Sequence, residues 1–178
     1  MILIIDMNYK KNSLAFDEFV MPIANIVKKN CKVKHYSEIN EKEINIYDKI
    51  ILSGTTLKDN EFVKHIKKFS WIKRCNKPIL GICAGMEIIA LVFDSKLIKS
   101  KEIGMTEVTT IKENKLFSSG FEAYELHNFG VEPSEEFDVL AESENCIQAI
   151  RHKEKGIYGV MFHPEVRNKE IIRKFAEL

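Results

Sequence analysis

The chain has no C-x-x-C pair. Its four cysteines, Cys31, Cys75, Cys83 and Cys146, lie far apart. Neither a paired-thiol zinc site nor a disulfide framework is therefore expected, and the thiols read as reduced. No metal-ligand cluster is visible along the sequence, so neither a metal nor an organic cofactor is expected. There is no run of about 18 apolar residues, which excludes a spanning helix. The opening MILIIDMN lacks a basic n-region and a long apolar h-region. It reads as a first strand rather than a signal peptide, and the expected location is cytoplasmic. Neither sign of charge dominates: 27 basic and 26 acidic residues leave a net charge of +1. That balance gives no reason to expect nucleic acid or a membrane surface as partner. Basic residues are scattered, as in Lys28-Lys29, Lys67-Lys68 and Lys73-Arg74, and read as solvated helix faces. Glutamine is nearly absent, with Gln148 the only one. Repeats, low-complexity segments and linkers are also missing, so residues 1–178 are expected to form one domain.

Apolar residues, by contrast, make up 45% of the chain, enough for a sizeable core. MILIID is continuous and Ile-rich, as in a strand buried on both faces of a parallel sheet. Phe16, Phe19, Val20, Ile23, Ile26 and Val27 recur at helical spacing, with Pro22 predicting a kink or a late start. Residues 31–36 alternate like a second strand. Residues 48–53 (DKIILS) form a third, residues 78–82 a fourth. Between these two, Asp59 is placed to cap a helix carrying Phe62, Val63, Ile66 and Phe69. A short apolar helix is expected over 84–93. The second half changes character. Short strands are expected over 105–111, 122–129, 137–143, 146–151 and 157–161, before a last amphipathic helix with Ile171, Ile172, Phe175 and Leu178. The fold class is α/β: an open, mostly parallel sheet flanked by helices and flavodoxin-like, with extra short strands in the second half.

In such sheets, sites form beyond the carboxyl ends of the strands. Ser53-Gly54-Thr55-Thr56 and Gly81-Ile82-Cys83-Ala84-Gly85 both end there. The second is a strand-turn-helix, and small residues around Cys83 permit a tight elbow that exposes a nucleophile. The helix N-terminus beyond it favours thiolate. Taken alone, Cys83 reads at least as well as a small core residue. A nucleophile needs a base held by a third group. Val160-Met161-Phe162-His163-Pro164-Glu165 supplies both, since Glu165 can fix the imidazole tautomer and leave the other nitrogen facing the thiol.

Taken together, G-I-C-x-G after an apolar strand, F-H-P-E-V near the C-terminus and Ser-Gly after DKIIL resemble the class I (triad) glutamine amidotransferases. The resemblance covers essentially the whole chain and lies nearest the glutaminase subunits of two-subunit GMP synthases. It implies that Cys83 attacks the side-chain amide of glutamine, His163 shuttles the proton and Glu165 orients His163. A γ-glutamyl thioester would form, with the oxyanion held by the backbone N–H groups of Thr55 and Ala84. It also implies substrate contacts at Gly54, Glu87 and His127, no cofactor, and a separate synthetase subunit that receives the ammonia.

Three positions depart from the family. The elbow motif usually ends in Gln, and here it ends in Glu87, one helical turn from Cys83. A carboxylate there accepts hydrogen bonds but cannot donate, and its charge opposes a thiolate. The loop Ser-Gly-Gly-Pro is Ser53-Gly54-Thr55-Thr56, and Thr55 lacks the freedom of glycine. The segment Ser-His-x-Asp is Leu126-His127-Asn128-Phe129, keeping only His127, which also reads as an ordinary strand-end histidine. Two alternatives stay open at this point. One is a hydrolase of another γ-glutamyl amide, since Glu in place of Gln also occurs in γ-glutamyl hydrolases. The other is a binding or regulatory domain that keeps the fold.

Overall fold

The computed structural model describes residues 1–28 and 30–178. Lys29, half of one of the basic pairs assigned to a solvated helix face, lies outside the described residues. Nine strands form one sheet in the order β2-β1-β3-β4-β9-β8-β7-β5-β6. Strands β1 (Ile2–Asp6), β2 (Cys31–His35), β3 (Lys49–Leu52), β4 (Ile79–Ile82) and β9 (Ile157–Val160) pair in parallel. From β9 onward, β8 (Ile147–His152), β7 (Phe137–Glu142), β5 (Lys96–Thr110) and β6 (Phe121–Glu132) continue it with antiparallel pairing. The α/β class thus holds in a mixed sheet.

The parallel strands are apolar because both of their faces are covered. In β1, Leu3 and Ile5 join one core cluster while Ile2 and Ile4 join the other. The first cluster takes Ile88 and Ile89 of α4 (Ala84–Val92) and Phe62 of α3 (Glu61–Lys64). The second takes Ile23 of α1 (Met21–Val27) and Ile171, Ile172 and Phe175 of α5 (Lys169–Glu177). Alternate side chains of a strand point to opposite faces, so a strand covered on both sides needs hydrocarbon at every position.

Two expectations need correction, one helix was not foreseen, and the late start that Pro22 predicted is seen. The helix expected from Asp59 through Phe69 is α only over Glu61–Lys64 and continues as a 3₁₀ helix over Ile66–Arg74. Ile66, Phe69 and Ile72 recur every three residues, the period of a 3₁₀ helix, and Phe69 and Ile72 are buried. Asp59 still accepts from the Glu61 N–H at 3.2 Å. Upstream, residues Phe16–Val20 form a π turn, and α1 starts at Met21 with Pro22 in its first turn, where no N–H is needed. The strand expected over 105–111 is far longer, running Lys96–Thr110 and pairing with β6 from Lys96↔Glu132 to Val108↔Phe121. Its N-terminal part shows no apolar alternation because its side chains are mostly exposed. A short helix, α2 (Glu41–Ile44), was not foreseen; the Asn40 side chain caps it, accepting from the Lys42 N–H at 3.1 Å.

Candidate active site

Strand β4 ends at Ile82 and α4 begins at Ala84, leaving Cys83 alone to turn the chain. It does so at φ 48°, ψ −105°, a strained conformation for a residue with a side chain. The flanking glycines serve close approach rather than freedom. A Cβ on Gly81 would stand 2.5 Å from the backbone of Gly85, and one on Gly85 would stand 2.5 Å from the Leu52 carbonyl oxygen. The Cys83 N–H donates to the Val160 carbonyl at 2.8 Å, and its own carbonyl accepts from the Glu87 N–H at 3.0 Å.

Because β4 and β9 are parallel with Ile82 opposite Val160, the residues that follow each strand emerge at one sheet edge. His163 lies there, its N–H bound to the Tyr124 carbonyl at 2.8 Å. Its Nδ1 is 2.7 Å from Glu165 Oε1, and both side chains are completely buried. His163 Nε2 makes no hydrogen bond among the described residues. Burial lowers the imidazole pKa, but the Glu165 charge and the Cys83 sulfur outweigh burial and hold it well above its usual range. The Cys83 thiol lies 3.7 Å from the Leu126 carbonyl. Gly54 sits between the two side chains. A Cβ there would stand 2.6 Å from His163 Cε1 and 3.6 Å from Cys83 Cβ.

A narrow cleft opens beside Cys83, lined among others by Thr55, Ala84, Glu87, His127 and Asn128. Its interior has room for about one water molecule, roughly 10 Å³. Ala84 is the first residue of α4, so its N–H has no partner within the helix. Thr55 is not among the residues with positive φ, so this loop does not demand a glycine there. The loop is tied down by Asn128 Nδ2, which donates to the Leu57 carbonyl at 2.8 Å.

Glu87 is buried and faces this cleft, with Oε2 making no hydrogen bond among the described residues. Burial raises its pKa from the usual 4.5 to about 7, against a smaller opposing pull from His127. Burial thus favours its protonated form to far higher pH than in an exposed glutamate, and that form can donate a hydrogen bond as an amide does. His127 is not a strand-end residue. It sits within β6, its side chain completely buried. Its Nδ1 meets the Ser100 carbonyl at 3.0 Å, and Nε2 stands 3.3 Å from both Glu102 and Glu125. Burial pulls its pKa down, but Cys146 and Glu125 prevail and push it to about 11. It is thus a cation beside the cleft, the group needed to offset a charged Glu87.

All eight residues singled out in the sequence gather at this one edge. Glu102, Glu125, Cys146 and Gln148 were missed. The signal present was the alternation Ala123, Glu125, His127 on the buried face of β6, which puts two ionisable groups where hydrocarbon is expected. The sequence showed no ligand cluster, yet donor atoms of Glu102, His127 and Cys146 lie within 4.8 Å of one another.

The chain matches the family described as glutamine amidotransferase class-I over residues 17–176, and it belongs to that family. One relative is a glutamine-hydrolyzing GMP synthase subunit of Methanocaldococcus jannaschii. It is 34% identical over 163 residues, spanning 77% of this chain and 87% of the relative. The Thermoplasma acidophilum subunit of the same name is 33% identical over 151 residues, spanning 78% and 76%. A crystal structure from Thermoplasma acidophilum, provisionally assigned as the same GMP synthase subunit, superposes with a TM-score of 0.84 at 27% identity, covering 99% of this chain and 93% of that one. No helix among the described residues is long and apolar enough to cross a membrane.

Proposed function

We propose that this chain is a glutaminase subunit that releases ammonia from glutamine for a separate synthetase, in the manner of the GMP synthase subunits it resembles. The observation that carries the reading is the buried His163–Glu165 pair, held against Cys83 across Gly54. Cys83 attacks the carboxamide carbon of glutamine as His163 takes the thiol proton. The tetrahedral oxyanion is met by the N–H groups of Ala84 and Thr55, each worth about 3 kcal/mol of barrier. His163 then protonates the leaving nitrogen, ammonia departs, and a γ-glutamyl thioester remains. Water, deprotonated by His163, attacks the thioester. Glutamate leaves and the thiol is restored. Glu165 keeps the imidazole oriented throughout, while Gly54, Glu87 and His127 shape the substrate cleft.

The cleft is narrow as it stands, and admission of glutamine is assigned to movement of the loop after Ser53. Docking of the synthetase is the event that moves it, which ties glutamine hydrolysis to the presence of an ammonia acceptor. The test is an assay of ammonia and glutamate release, with and without the synthetase of the same organism. Release that rises on adding the synthetase and disappears in Cys83→Ala supports the reading. No release in either condition sinks it. Glu87 motivates a second reading, hydrolysis of another γ-glutamyl amide. A panel of γ-glutamyl compounds separates the two, and a strong preference for glutamine removes the second.

A further inference from the structure

The antiparallel half of the sheet holds a second constellation of ionisable groups, which shares His127 with the cleft lining. Glu102 comes from β5, Glu125 and His127 from β6, and Cys146 from the turn before β8. Three backbone features build it. The β5–β6 register shifts between Lys99 and Glu102, and such irregularities re-aim side chains. Here Ser100 offers its carbonyl to His127 Nδ1 at 3.0 Å, and Glu102 is buried on a strand whose neighbouring positions are mostly exposed. Gly130 leaves room for Cys146, since a Cβ there would stand 3.0 Å from Cys146 Cβ.

Donor atoms of Glu102, His127 and Cys146 all lie within 4.8 Å of one another, within reach of one ion, while Glu125 is outside that set and meets it at His127. His127 Nε2 is 3.3 Å from Glu102 Oε2 and 3.3 Å from Glu125 Oε2, and Cys146 Sγ is 3.3 Å from Glu102 Oε2. Two ligands bound to one tetrahedral zinc at about 2.0–2.3 Å are themselves about 3.3–3.7 Å apart. A charge-assisted N–H···O bond would be shorter, about 2.7–2.9 Å. Glu125 is fully buried, and neither of its oxygens makes a hydrogen bond among the described residues. Its ion-pair partner is His127 Nε2 at 3.3 Å, which leaves most of its lone pairs without the partners that burial requires. The ligands are held from behind as in metal sites, where the second nitrogen of a histidine binds a carbonyl and carboxylates are themselves hydrogen-bonded. Ser100 does this for His127. Gln148, the only glutamine in the chain, donates to Glu102 Oε2 at 2.6 Å, and Asn145 donates to Oε1 at 3.0 Å.

We propose that Glu102, His127 and Cys146 bind a zinc ion that braces the antiparallel half of the sheet against the cleft, with the Glu125 carboxylate beside it supplying compensating charge. The thiolate and imidazole select zinc over magnesium or calcium, which take oxygen ligands. Binding displaces the thiol proton of Cys146 and the Nε2 proton of His127. Cys146 is partly buried, which leaves the ion a route of entry.

The test uses the full chain, stripped with chelator and titrated with cobalt(II) chloride, then with zinc chloride. One cobalt per chain with a thiolate-to-cobalt absorption band is expected, displaced by zinc. Cys83→Ala should keep the band. Cys146→Ser should lose it and weaken zinc binding about 100-fold or more, with the circular dichroism of the apo protein unchanged. Should Cys146→Ser fail to fold, Glu102→Gln takes its place, with weakened binding expected again. The proposal is overturned if the wild type shows no cobalt band. It is also overturned if the band survives Cys146→Ser and vanishes in Cys83→Ala, which would put the metal on the triad cysteine. Metal stoichiometry is read without glutamine, so this result is separate from the outcome of the glutaminase assay.

Discussion

The parallel and antiparallel halves of the sheet bury different things. Strands β1, β3, β4 and β9 present hydrocarbon to both faces and one tight elbow at their end, where Cys83 takes a strained backbone between two close-packed glycines. Strands β5 to β8 bury Glu102, Glu125, His127 and Gln148. One half sets the positions of Cys83 and His163 by steric contact. The other sets the charge of the cleft by placing a positive group beside Glu87, which in the metal-free chain is protonated His127. The first is broken by adding a methyl group, the second by deleting a charge.

Cys83→Ala should have the largest effect, lowering glutamine hydrolysis by about 1000-fold or more while leaving the unfolding midpoint nearly unchanged. Retained activity would remove the elbow from the mechanism altogether. His127→Ala leaves the Glu102 and Glu125 carboxyl groups without their cation. A loss of about 3–5 kcal/mol in urea unfolding is expected; a loss below about 1 kcal/mol would show that the antiparallel half does not depend on its buried charge.

Glu87→Gln tests where the two halves meet. The protonated form of Glu87 is favoured in the folded protein, with its pKa raised from 4.5 to about 7. Its contribution to stability is complete below the unfolded value and is lost as pH rises through about 7. The Gln variant carries no such loss. Relative to wild type it should gain about 2–3 kcal/mol in chemical unfolding between about pH 5 and about pH 8. Its glutamine hydrolysis should rise most above about pH 7, where wild-type Glu87 is charged. Lower activity across the whole range would instead give the carboxylate a role in binding substrate.

Gly85→Ala places a methyl against the Leu52 carbonyl at 2.5 Å. It should cost about 1–3 kcal/mol of stability and slow alkylation of Cys83 by iodoacetamide as the elbow shifts. Smallest is Asn128→Ala, which releases Leu57 from β6 for about 1 kcal/mol. Faster hydrogen exchange over residues 55–60, with synthetase-independent glutamine hydrolysis raised a few-fold, would identify this bond as what holds the cleft closed.

Much of the parallel half was legible beforehand. Its strands show as uninterrupted apolar runs because both faces are covered, and the elbow shows as glycines around a cysteine because nothing larger fits. The 3₁₀ helix over Ile66–Arg74 carried its own signal in the three-residue spacing of Ile66, Phe69 and Ile72, which a search for helical periodicity passes over. The start of β5 was not legible, since a strand with mostly exposed side chains has no apolar alternation to find. Of the residues that line or adjoin the cleft, Cys83, His163, Glu165, Gly54, Thr55, Ala84, Glu87 and His127 were picked out in the sequence. The partners of His127 were not: Glu102 and Cys146 are far from it in the chain and meet it through strand pairing, and Glu125, two residues away, shares with it the buried face of β6.

What the sequence by itself determined is the chemistry on offer: a cysteine that only a tight turn can accommodate, a His-Pro-Glu segment after an apolar strand, and a carboxylate where the family usually has an amide. These are local facts, and local sterics and hydrogen bonding suffice to read them. Tertiary structure alone decided how those groups are charged. Burial holds Glu87 near neutrality, and the buried partners of His127 keep it a cation. Desolvation and Coulomb interactions depend on distance in space, and the fold sets those distances between residues that the chain keeps apart.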